Sequence, residues 1–343
     1  MKKIILFTLF FLALPFVSFA QLTPQDLSVR IIPEIPEPGD RISVDIESFV
    51  TDLDRSQVRW SLDGTQQLQG VGEKVFSFIA GSIGTSHTIT ITVSTQDAGV
   101  LTKTVSVAPA SVELLWEPID SHVPKFYKAK ALNAHDSGVI VQALPYFIDS
   151  RGVQVNPKSL IYSWSVNNKP QQADSGFGRD TFTFEGPSLY RASEITVDVE
   201  SPESDYRARR TINLSAQAPK ILFYQEDPLF GQRLVNPVAG GIIDLLEDEV
   251  VVRAEPYFIS DINNQTAIDY EWRIDGRDIV TVGDRNLVTL RKPDQGAGRS
   301  SVSLEIKHIG KLLQFARESF TALFEEREDT PETNAGDTNF FGN

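Results

Sequence analysis

The first residues that could do chemistry in this chain are its four histidines, His87, His122, His135 and His308. A histidine can act as a general base, or as one of the three or four ligands that a zinc site needs. No two of them have metal-ligand spacing, and no Gly-x-Ser-x-Gly elbow marks a serine nucleophile. Composition alone leaves a Ser-His-Asp arrangement open. We nevertheless expect surface histidines, no metal site and no catalytic residue.

Clusters of carboxylates are the second group, because their hard oxygen atoms can bind calcium. They lie at Asp52–Asp54, Glu247–Glu249 and Asp275–Asp278. None of the clusters places oxygens at alternate positions around a central glycine, as a calcium-binding loop does. We expect solvated turns and strand edges at these positions and predict no cofactor. Calcium at a domain junction is the alternative.

Four aromatic residues are candidates for partner binding, because they lie outside the repeated pattern described below. They are Trp116, Phe126, Tyr127 and Tyr224. Packing at a domain junction is the simpler interpretation of these side chains. The alternative is a surface for a protein or glycan partner, since exposed aromatic side chains contribute strongly to recognition.

The elements that position these residues are indicated by the other three tryptophans, Trp60, Trp164 and Trp272. Each is followed two places on by an apolar residue and then by Asp-Gly or Asn-Asn, dipeptides that tolerate the positive φ angles of a tight hairpin turn. The intervals between them are close to the ~100 residues of an immunoglobulin-like domain. The pattern predicts core tryptophans on equivalent strands of three domains.

The repeat continues on both sides of the tryptophans. Upstream, Val139–Ile148 parallels Val250–Ile259, and both segments contain Pro-Tyr-Phe. Downstream, each repeat has an alternating strand and a last strand, at Thr88–Val93 and Val100–Val107, Ile195–Val199 and Arg207–Leu214, and Val302–Ile306 and Leu312–Phe324. Short alternating strands separated by frequent turns are typical of β-sandwiches. We predict an all-β chain of three tandem immunoglobulin-like β-sandwich domains.

Short linkers with small residues and a proline set the predicted domain boundaries. The sandwiches are expected over residues 21–110, 111–217 and 218–324. Residues 325–343 are rich in acidic residues and poor in apolar ones, so we expect a disordered acidic C-terminal tail.

Residues 1–20 have the features of a secretory signal peptide. Lys2 and Lys3 precede an apolar run that is shorter than the ~20 residues of a membrane span. Ser18 and Ala20 are small residues placed for cleavage after Ala20. An uncleaved membrane anchor is the alternative. We expect a cleaved signal, and a mature chain in the cell envelope or outside the cell with no membrane segment.

Composition narrows the possible functions further. The chain has 32 basic and 46 acidic residues and a net charge of −14. Nucleic acids and anionic lipids are bound through an excess of basic residues, so we expect neither as a partner. The absence of cysteine excludes disulfides, thiolate metal sites and a cysteine nucleophile. Each sandwich must therefore be stable through packing alone.

A strand with Trp, an apolar residue and Asp-Gly resembles PKD-like and other immunoglobulin-like surface modules of bacteria. The chain up to about Phe324 also resembles an uncharacterised group of secreted bacterial proteins, in the Trp116 segment, in Pro124–Lys130 and in the repeated Pro-Tyr-Phe. The resemblance implies tandem sandwiches outside the membrane, and it implies no catalytic residue and no ligand. The chain lacks the cysteine pair of antibody domains and the Gly-Asp-Gly of PKD repeats.

Together these features predict an exported, non-enzymatic protein that acts as a cell-envelope spacer, an adhesin-like module or an extracellular assembly component. It would contact a protein or glycan partner through edge strands or junction aromatics. The alternative function is a carbohydrate-binding or carbohydrate-active secreted protein that uses the junction aromatics. That alternative requires exposed, coplanar rings near a cleft with paired acids.

Overall fold

The computed structural model describes residues 27–324, apart from residues 96–98, 150, 188–189, 204–205, 228–230, 233–237, 239–240, 247, 265, 282 and 294–295. The predicted signal peptide and acidic tail lie outside the described residues. Within them the chain is all-β, as predicted, and its helical segments are two short 3-10 turns at Leu53–Arg55 and Pro157–Ser159. No helix in this part of the chain is long and apolar enough to cross a membrane.

The first strand set covers residues 28–107 and forms two antiparallel sheets. Its strands are β1 (Ser28–Ile32), β2 (Arg41–Glu47), β3 (Gln57–Leu62), β4 (Thr65–Val71), β5 (Val75–Ile79), β6 (His87–Thr95) and β7 (Gly99–Val107). One sheet has the order β1-β2-β5 and the other the order β4-β3-β6-β7. Alternate apolar side chains of both sheets, among them Val44, Trp60 and Ile91, form one core.

The middle strand set covers residues 111–214. Its strands are β8 (Ser111–Pro118), β9 (Val139–Tyr146), β10 (Ile161–Val166), β11 (Lys169–Pro170), β12 (Gly176–Phe177), β13 (Thr181–Phe184), β14 (Ser193–Glu200) and β15 (Arg207–Leu214). The sheet orders are β13-β9-β8 and β11-β10-β14-β15, with β12 paired to β10. Trp164 stacks on Phe182, with 5.4 Å between the ring centres.

The last strand set covers residues 220–324. Its strands are β16 (Lys220–Asp227), β17 (Gly231–Gln232), β18 (Ile242–Leu245), β19 (Glu249–Tyr257), β20 (Ile268–Ile274), β21 (Arg277–Ile279), β22 (Leu287–Arg291), β23 (Gly298–His308) and β24 (Phe315–Phe324). The sheet orders are β17-β16-β19-β22 and β18-β24-β23-β20-β21. The segment Leu312–Phe324, predicted as a last strand, is β24 from Phe315 onward.

The three repeated tryptophans occupy equivalent places. Trp60, Trp164 and Trp272 lie on β3, β10 and β20, and their exposed fractions are 0%, 1% and 2%. Each indole N–H donates a hydrogen bond of 2.8–2.9 Å to a main-chain carbonyl oxygen, those of Glu73, Arg179 and Arg285. The indole is therefore fully buried without an unpaired donor, which is the condition for burying tryptophan at low cost.

The hairpin turns after these tryptophans have the predicted positive φ angles. Asp63, Asn167 and Asp275 open the turns with φ of 51°, 50° and 47°. Each of these side chains also accepts a hydrogen bond of 2.8–3.0 Å from a main-chain N–H on a neighbouring strand, at Thr88, Glu194 and Ser301. The turn residue thus attaches the hairpin to the predicted downstream strand of the same repeat, a contact that the turn dipeptide alone does not indicate.

The described residues form two compact units. One contains the residues up to Val112 together with Pro145–Leu160 and Val199–Arg209. The other contains Glu113–Leu144, Ile161–Asp198 and the residues from Arg210 onward. The domain boundaries at residues 110 and 217 stay predictions. Within the second unit, the loop after β8 contacts the last strand set, and the candidate site begins there.

Candidate functional site

The loop between β8 and β9 positions most of the residues singled out from the sequence. Its base is closed by a hydrogen bond of 2.8 Å from the Ile119 N–H to the Gly138 carbonyl. Two more main-chain bonds attach it to the last strand set: the His122 N–H donates to the Ile259 carbonyl at 2.9 Å, and the Phe258 N–H donates to the His122 carbonyl at 2.7 Å. We call this contact, between residues 119–137 and residues 257–264 and 308–314, the joint.

Aromatic side chains pack edge to face beside the joint. Phe126 contacts Tyr224 with 5.5 Å between ring centres and 77° between planes, and Tyr127 contacts Tyr257 at 5.7 Å and 78°. The hydroxyls of Tyr224 and Tyr257 are 3.3 Å apart and buried. Burial and this hydrogen bond raise the pKa of Tyr257. Three of the four partner-binding candidates, Phe126, Tyr127 and Tyr224, therefore pack against other aromatic side chains inside the second unit.

Both copies of the repeated Pro-Tyr-Phe-Ile segment contact the strand set that precedes them. In the last strand set, Phe258 adopts a left-handed φ of 57° as its N–H bonds to His122. This conformation is strained for a bulky side chain. In the first unit, Ile148 lies so close to Gly84 that a Cβ on Gly84 would be 3.0 Å from its methyl group, and Gly84 itself has φ of 88°. Each copy of the segment contacts the preceding strand set.

A buried glutamine connects the two sides of the joint. Gln314 is 0% exposed and lies in the turn before β24. Its Nε2 donates to the Ser260 hydroxyl at 2.9 Å and to the His135 carbonyl, and its Oε1 accepts from the Ser260 N–H at 2.8 Å. The amide thus satisfies three buried polar groups, each of which would be costly to leave unpaired.

A charged pair lies at the rim of the joint. Lys311 Nζ is 2.9 Å from Asp120 Oδ2, and the Ser137 hydroxyl donates to the other oxygen of Asp120. Burial would raise the pKa of Asp120, but the hydrogen bonds from Ser137 and Lys311 outweigh burial and lower it. Asp120 is therefore held as a carboxylate across the joint. Burial lowers the pKa of the neighbouring His122.

The expectation of surface histidines is wrong for His135 and His308, which are each 8% exposed. His308 Nδ1 accepts from the Gly310 and Lys311 N–H groups at 3.0 Å, and its Nε2 faces Asp261 at 3.2 Å. It organises the turn that carries Lys311. Asp261 precedes β20, and the pairing of β20 with β23 brings it close to His308. The local sequence around His308 therefore does not indicate the contact.

His87 and His135 each lie beside an aspartate. His87 Nε2 accepts from the Gly81 N–H at 3.2 Å, and its Nδ1 is 2.8 Å from Asp63. This contact lowers the pKa of Asp63. His135 Nε2 is 3.0 Å from Asp136, while within the described part of the chain its buried Nδ1 has no hydrogen-bond partner.

The acidic clusters are engaged by basic neighbours where the structure describes them. Asp54 pairs with Lys74 at 2.8 Å, Glu249 with Arg291 at 3.0 Å, and Asp278 with Arg273 at 2.8 Å. Glu247 lies outside the described residues. No group of three His, Asp or Glu residues able to hold a metal ion occurs among the residues with described positions. Calcium at a junction stays a prediction.

Trp116 has a different environment from the other three candidates. It is half-buried on β8, and the Lys130 ammonium lies over its ring, 3.4 Å from the ring centre. The two side chains line a cleft of about 380 Å³, which we call the Trp116 cleft, with Leu115, Glu117, Ile140, Gln142 and Thr181. The sequence singled out Trp116, but nothing in the spacing identified Lys130 or the residues of β9 and β13 beside it.

Comparison with known proteins finds distant likeness to solved structures. No known protein family matches the sequence, and no curated protein matches it. Among solved structures, three N-terminal domains of the bacteriophage RB49 outer capsid protein Hoc are 10% identical, cover 88% of this chain and 99% of their own, and give a TM-score of 0.27. A fibronectin-III array of RIM-binding protein is 9% identical, covers 90% and 100%, and gives 0.31. Likeness this distant carries no argument about function.

Proposed function

We propose that this chain is an exported, non-enzymatic tandem immunoglobulin-like protein of the cell envelope or extracellular space, and that it acts as a structural and interaction module for a protein partner. The observation that carries the proposal is the joint. Loop residues between β8 and β9 are bonded to the last strand set through main-chain pairs, a buried glutamine and an ion pair. Such a contact fixes a surface for presentation instead of enclosing a substrate.

The environments of the chemistry-bearing residues support a non-enzymatic role. His308 is fixed by two main-chain donors and Asp261, and Asp120 is fixed by Ser137 and Lys311. A general base must reach a substrate proton with its acceptor atom available. These residues instead stabilise turns and the joint.

The placement of the aromatics favours a protein partner over a glycan platform. A glycan platform needs the bare faces of exposed rings, whereas Phe126 and Tyr127 direct their rings at Tyr224 and Tyr257. One face of Trp116 is covered by Lys130. The residues that the carbohydrate alternative depends on are thus engaged within the protein.

Cell fractionation followed by cross-linked capture tests the proposal. The full-length chain is expressed with a C-terminal affinity tag in its natural host, cross-linked on intact cells and recovered from each fraction. We expect a processed chain that begins at Gln21, recovery from the envelope or medium, and a protein cross-linked to it. Recovery of an unprocessed chain from the cytoplasm, or hydrolysis of polysaccharides by the purified protein, would overturn the proposal.

A further inference from the structure

The Trp116 cleft contains a cation that belongs to the protein itself. Lys130 Nζ lies 3.4 Å from the centre of the Trp116 ring, which is the geometry in which the negative face of an indole attracts an ammonium group. Tryptophan has the strongest such attraction among the aromatic side chains. The cleft is therefore already shaped around a positively charged group.

The remaining side chains of the cleft complete a receptor for a cation. Glu117 supplies a carboxylate whose charge acts on the Lys130 ammonium. Gln142 and Thr181 supply polar oxygens, and Leu115 and Ile140 supply apolar walls for an alkyl stem. Within the described part of the chain, the side chains of Glu117 and Gln142 make no hydrogen bond. Their oxygens are available to N–H donors of a ligand.

Lys130 is placed so that it can leave the cleft. It is an exposed residue in the loop between β8 and β9, in a stretch that lies between Tyr127, which contacts Tyr257, and His135, whose carbonyl accepts from Gln314. Burial lowers the pKa of Lys130, with Glu117 acting in the opposite direction, so its ammonium regains hydration when it moves into water. A rotation of this long side chain therefore exposes the indole face without disturbing the joint.

We propose that the Trp116 cleft is a recognition site for a lysine or arginine side chain of a basic protein partner, and that Lys130 occupies the site until the partner displaces it. The net charge of −14 makes a cationic segment the complementary partner and accelerates its encounter with the chain. This inference rests on the proposed interaction function and names the chemistry that the partner presents.

The test is a titration of the full-length chain with small cations, followed through the indole and main-chain amide signals in NMR spectra at constant ionic strength. The probes are tetramethylammonium and N-acetyl-lysine methylamide. The neutral isostere of the first, 3,3-dimethylbutan-1-ol, is the control for charge, and a methyl glycoside tests the glycan alternative. We expect both cations to shift the Trp116 indole signal and the amides of Ile140 and Thr181, and the neutral alcohol to leave them unchanged. Equal binding of the alcohol, or shifts caused only by methyl glycosides, would overturn the inference.

Variants of the cleft sharpen the titration. Lys130→Ala removes the resident cation and is expected to lower the apparent Kd of both cationic probes. The matched loop variant Lys128→Ala is expected to leave that Kd unchanged. Trp116→Leu and Glu117→Gln are expected to weaken binding by about two- to thirtyfold, the range of a cation–π contact. Glu113→Gln, on the same strand but paired with Arg210, is the control for Glu117. Unchanged binding in Lys130→Ala and Glu117→Gln would contradict the inference.

The same variants separate the inference from the proposed function. If cross-linked capture recovers a partner equally with the wild type and with Trp116→Leu, the interaction function stands and the cation site is wrong. If the cations bind as expected but the processed chain captures no protein in any fraction, the cation site stands and the interaction function is wrong.

Discussion

The joint and the Trp116 cleft are built from the same kinds of residue, and the loop between β8 and β9 contributes to both. The joint has Lys311, Asp120 and Gln314, and the cleft has Lys130, Glu117 and Gln142, each beside aromatic side chains. In the joint every one of these polar groups is bonded across the contact. In the cleft the lysine covers an indole face, and the carboxylate and amide line open space.

The difference shows that residue type does not separate a structural contact from a recognition site in this chain. The joint and the Trp116 cleft differ instead in whether their polar groups are hydrogen-bonded within the protein. Gln314 is fully buried and makes three hydrogen bonds, so its removal leaves buried groups unpaired. Gln142 is exposed, and its replacement costs little in the free protein. A recognition site retains unsatisfied groups because a partner satisfies them later.

Substitution of tryptophan has the largest expected effect. Trp272→Ala, in the core of the last strand set, is expected to lower the free energy of unfolding by ~3–5 kcal/mol, because it leaves a cavity and removes the indole hydrogen bond to the Arg285 carbonyl. Trp60→Ala and Trp164→Ala are expected to behave in the same way. Trp116→Ala is expected to cost about 1 kcal/mol or less, since that ring is half-buried. Denaturant unfolding followed by circular dichroism measures both, and an equal loss for Trp116→Ala would break the comparison.

Substitution of glutamine has the next largest effect. Gln314→Ala is expected to destabilise the second unit by about 2 kcal/mol, because it leaves the Ser260 N–H and the His135 carbonyl unpaired in a buried place. Gln142→Ala is the matched control and is expected to stay within ~0.5 kcal/mol of the wild type. The measurement is the unfolding midpoint in urea at fixed slope. Identical midpoints for the two variants would contradict the structural role of the joint.

Acidification is expected to change the stability contributed by Asp120 in the joint but not that contributed by Glu117 in the cleft. The pKa of Asp120 is lowered in the folded protein, so its contribution to stability is present above the unfolded value of ~3.9 and is lost as pH falls through the lower folded value. Asp120→Asn is therefore expected to destabilise the protein by about 1 kcal/mol at pH 7, and this difference is expected to shrink below about pH 4. Glu117→Gln is the control. A destabilisation by Asp120→Asn that persists unchanged below pH 3 would show that Asp120 does not act through its charge.

Replacement of Lys311 or Lys130 is expected to have the smallest effect on the free energy of unfolding at neutral pH. Lys311→Ala removes the bond across the joint and is expected to cost about 1 kcal/mol, and Lys130→Ala about 0.5 kcal/mol or less. Thermal unfolding of the two variants beside Lys128→Ala measures the difference. A larger loss for Lys130→Ala than for Lys311→Ala would reverse our assignment of the two regions.

Much of the fold was predictable from local signals. The positive φ angles of Asp63, Asn167 and Asp275 follow from the Asp-Gly and Asn-Asn dipeptides, and alternation of apolar residues placed the strands that flank them. The start of β24 at Phe315, and not at Leu312, depends on the turn fixed by His308 and Gln314. That turn combines local bonds from His308 with contacts to Asp261, Ser260 and His135, which are distant in sequence, so no local pattern predicts it completely.

The site was less predictable for the same physical reason. Trp116, Phe126, Tyr127 and Tyr224 are conspicuous because aromatic side chains are large and lie outside the repeat. The sequence does not indicate that Tyr224 meets Phe126, or that Lys130 covers Trp116, since these pairs form only when the loop between β8 and β9 is folded. The sequence also does not indicate that His135 and His308 are buried, because Gln314 and Asp261, which contact them, are distant in sequence.

Competitive acetylation of lysines in the full-length wild-type chain tests most directly whether the joint is closed and the Trp116 cleft is open. The reagent is an amine-selective acetyl ester at low occupancy near neutral pH, and peptide mass spectrometry gives the rate at each lysine. The account predicts that Lys130 reacts several-fold faster than Lys311, because Lys130 leaves its cleft readily whereas Asp120 holds the Lys311 ammonium in the joint. Equal rates at the two lysines, or a slower reaction at Lys130 than at Lys311, would contradict it.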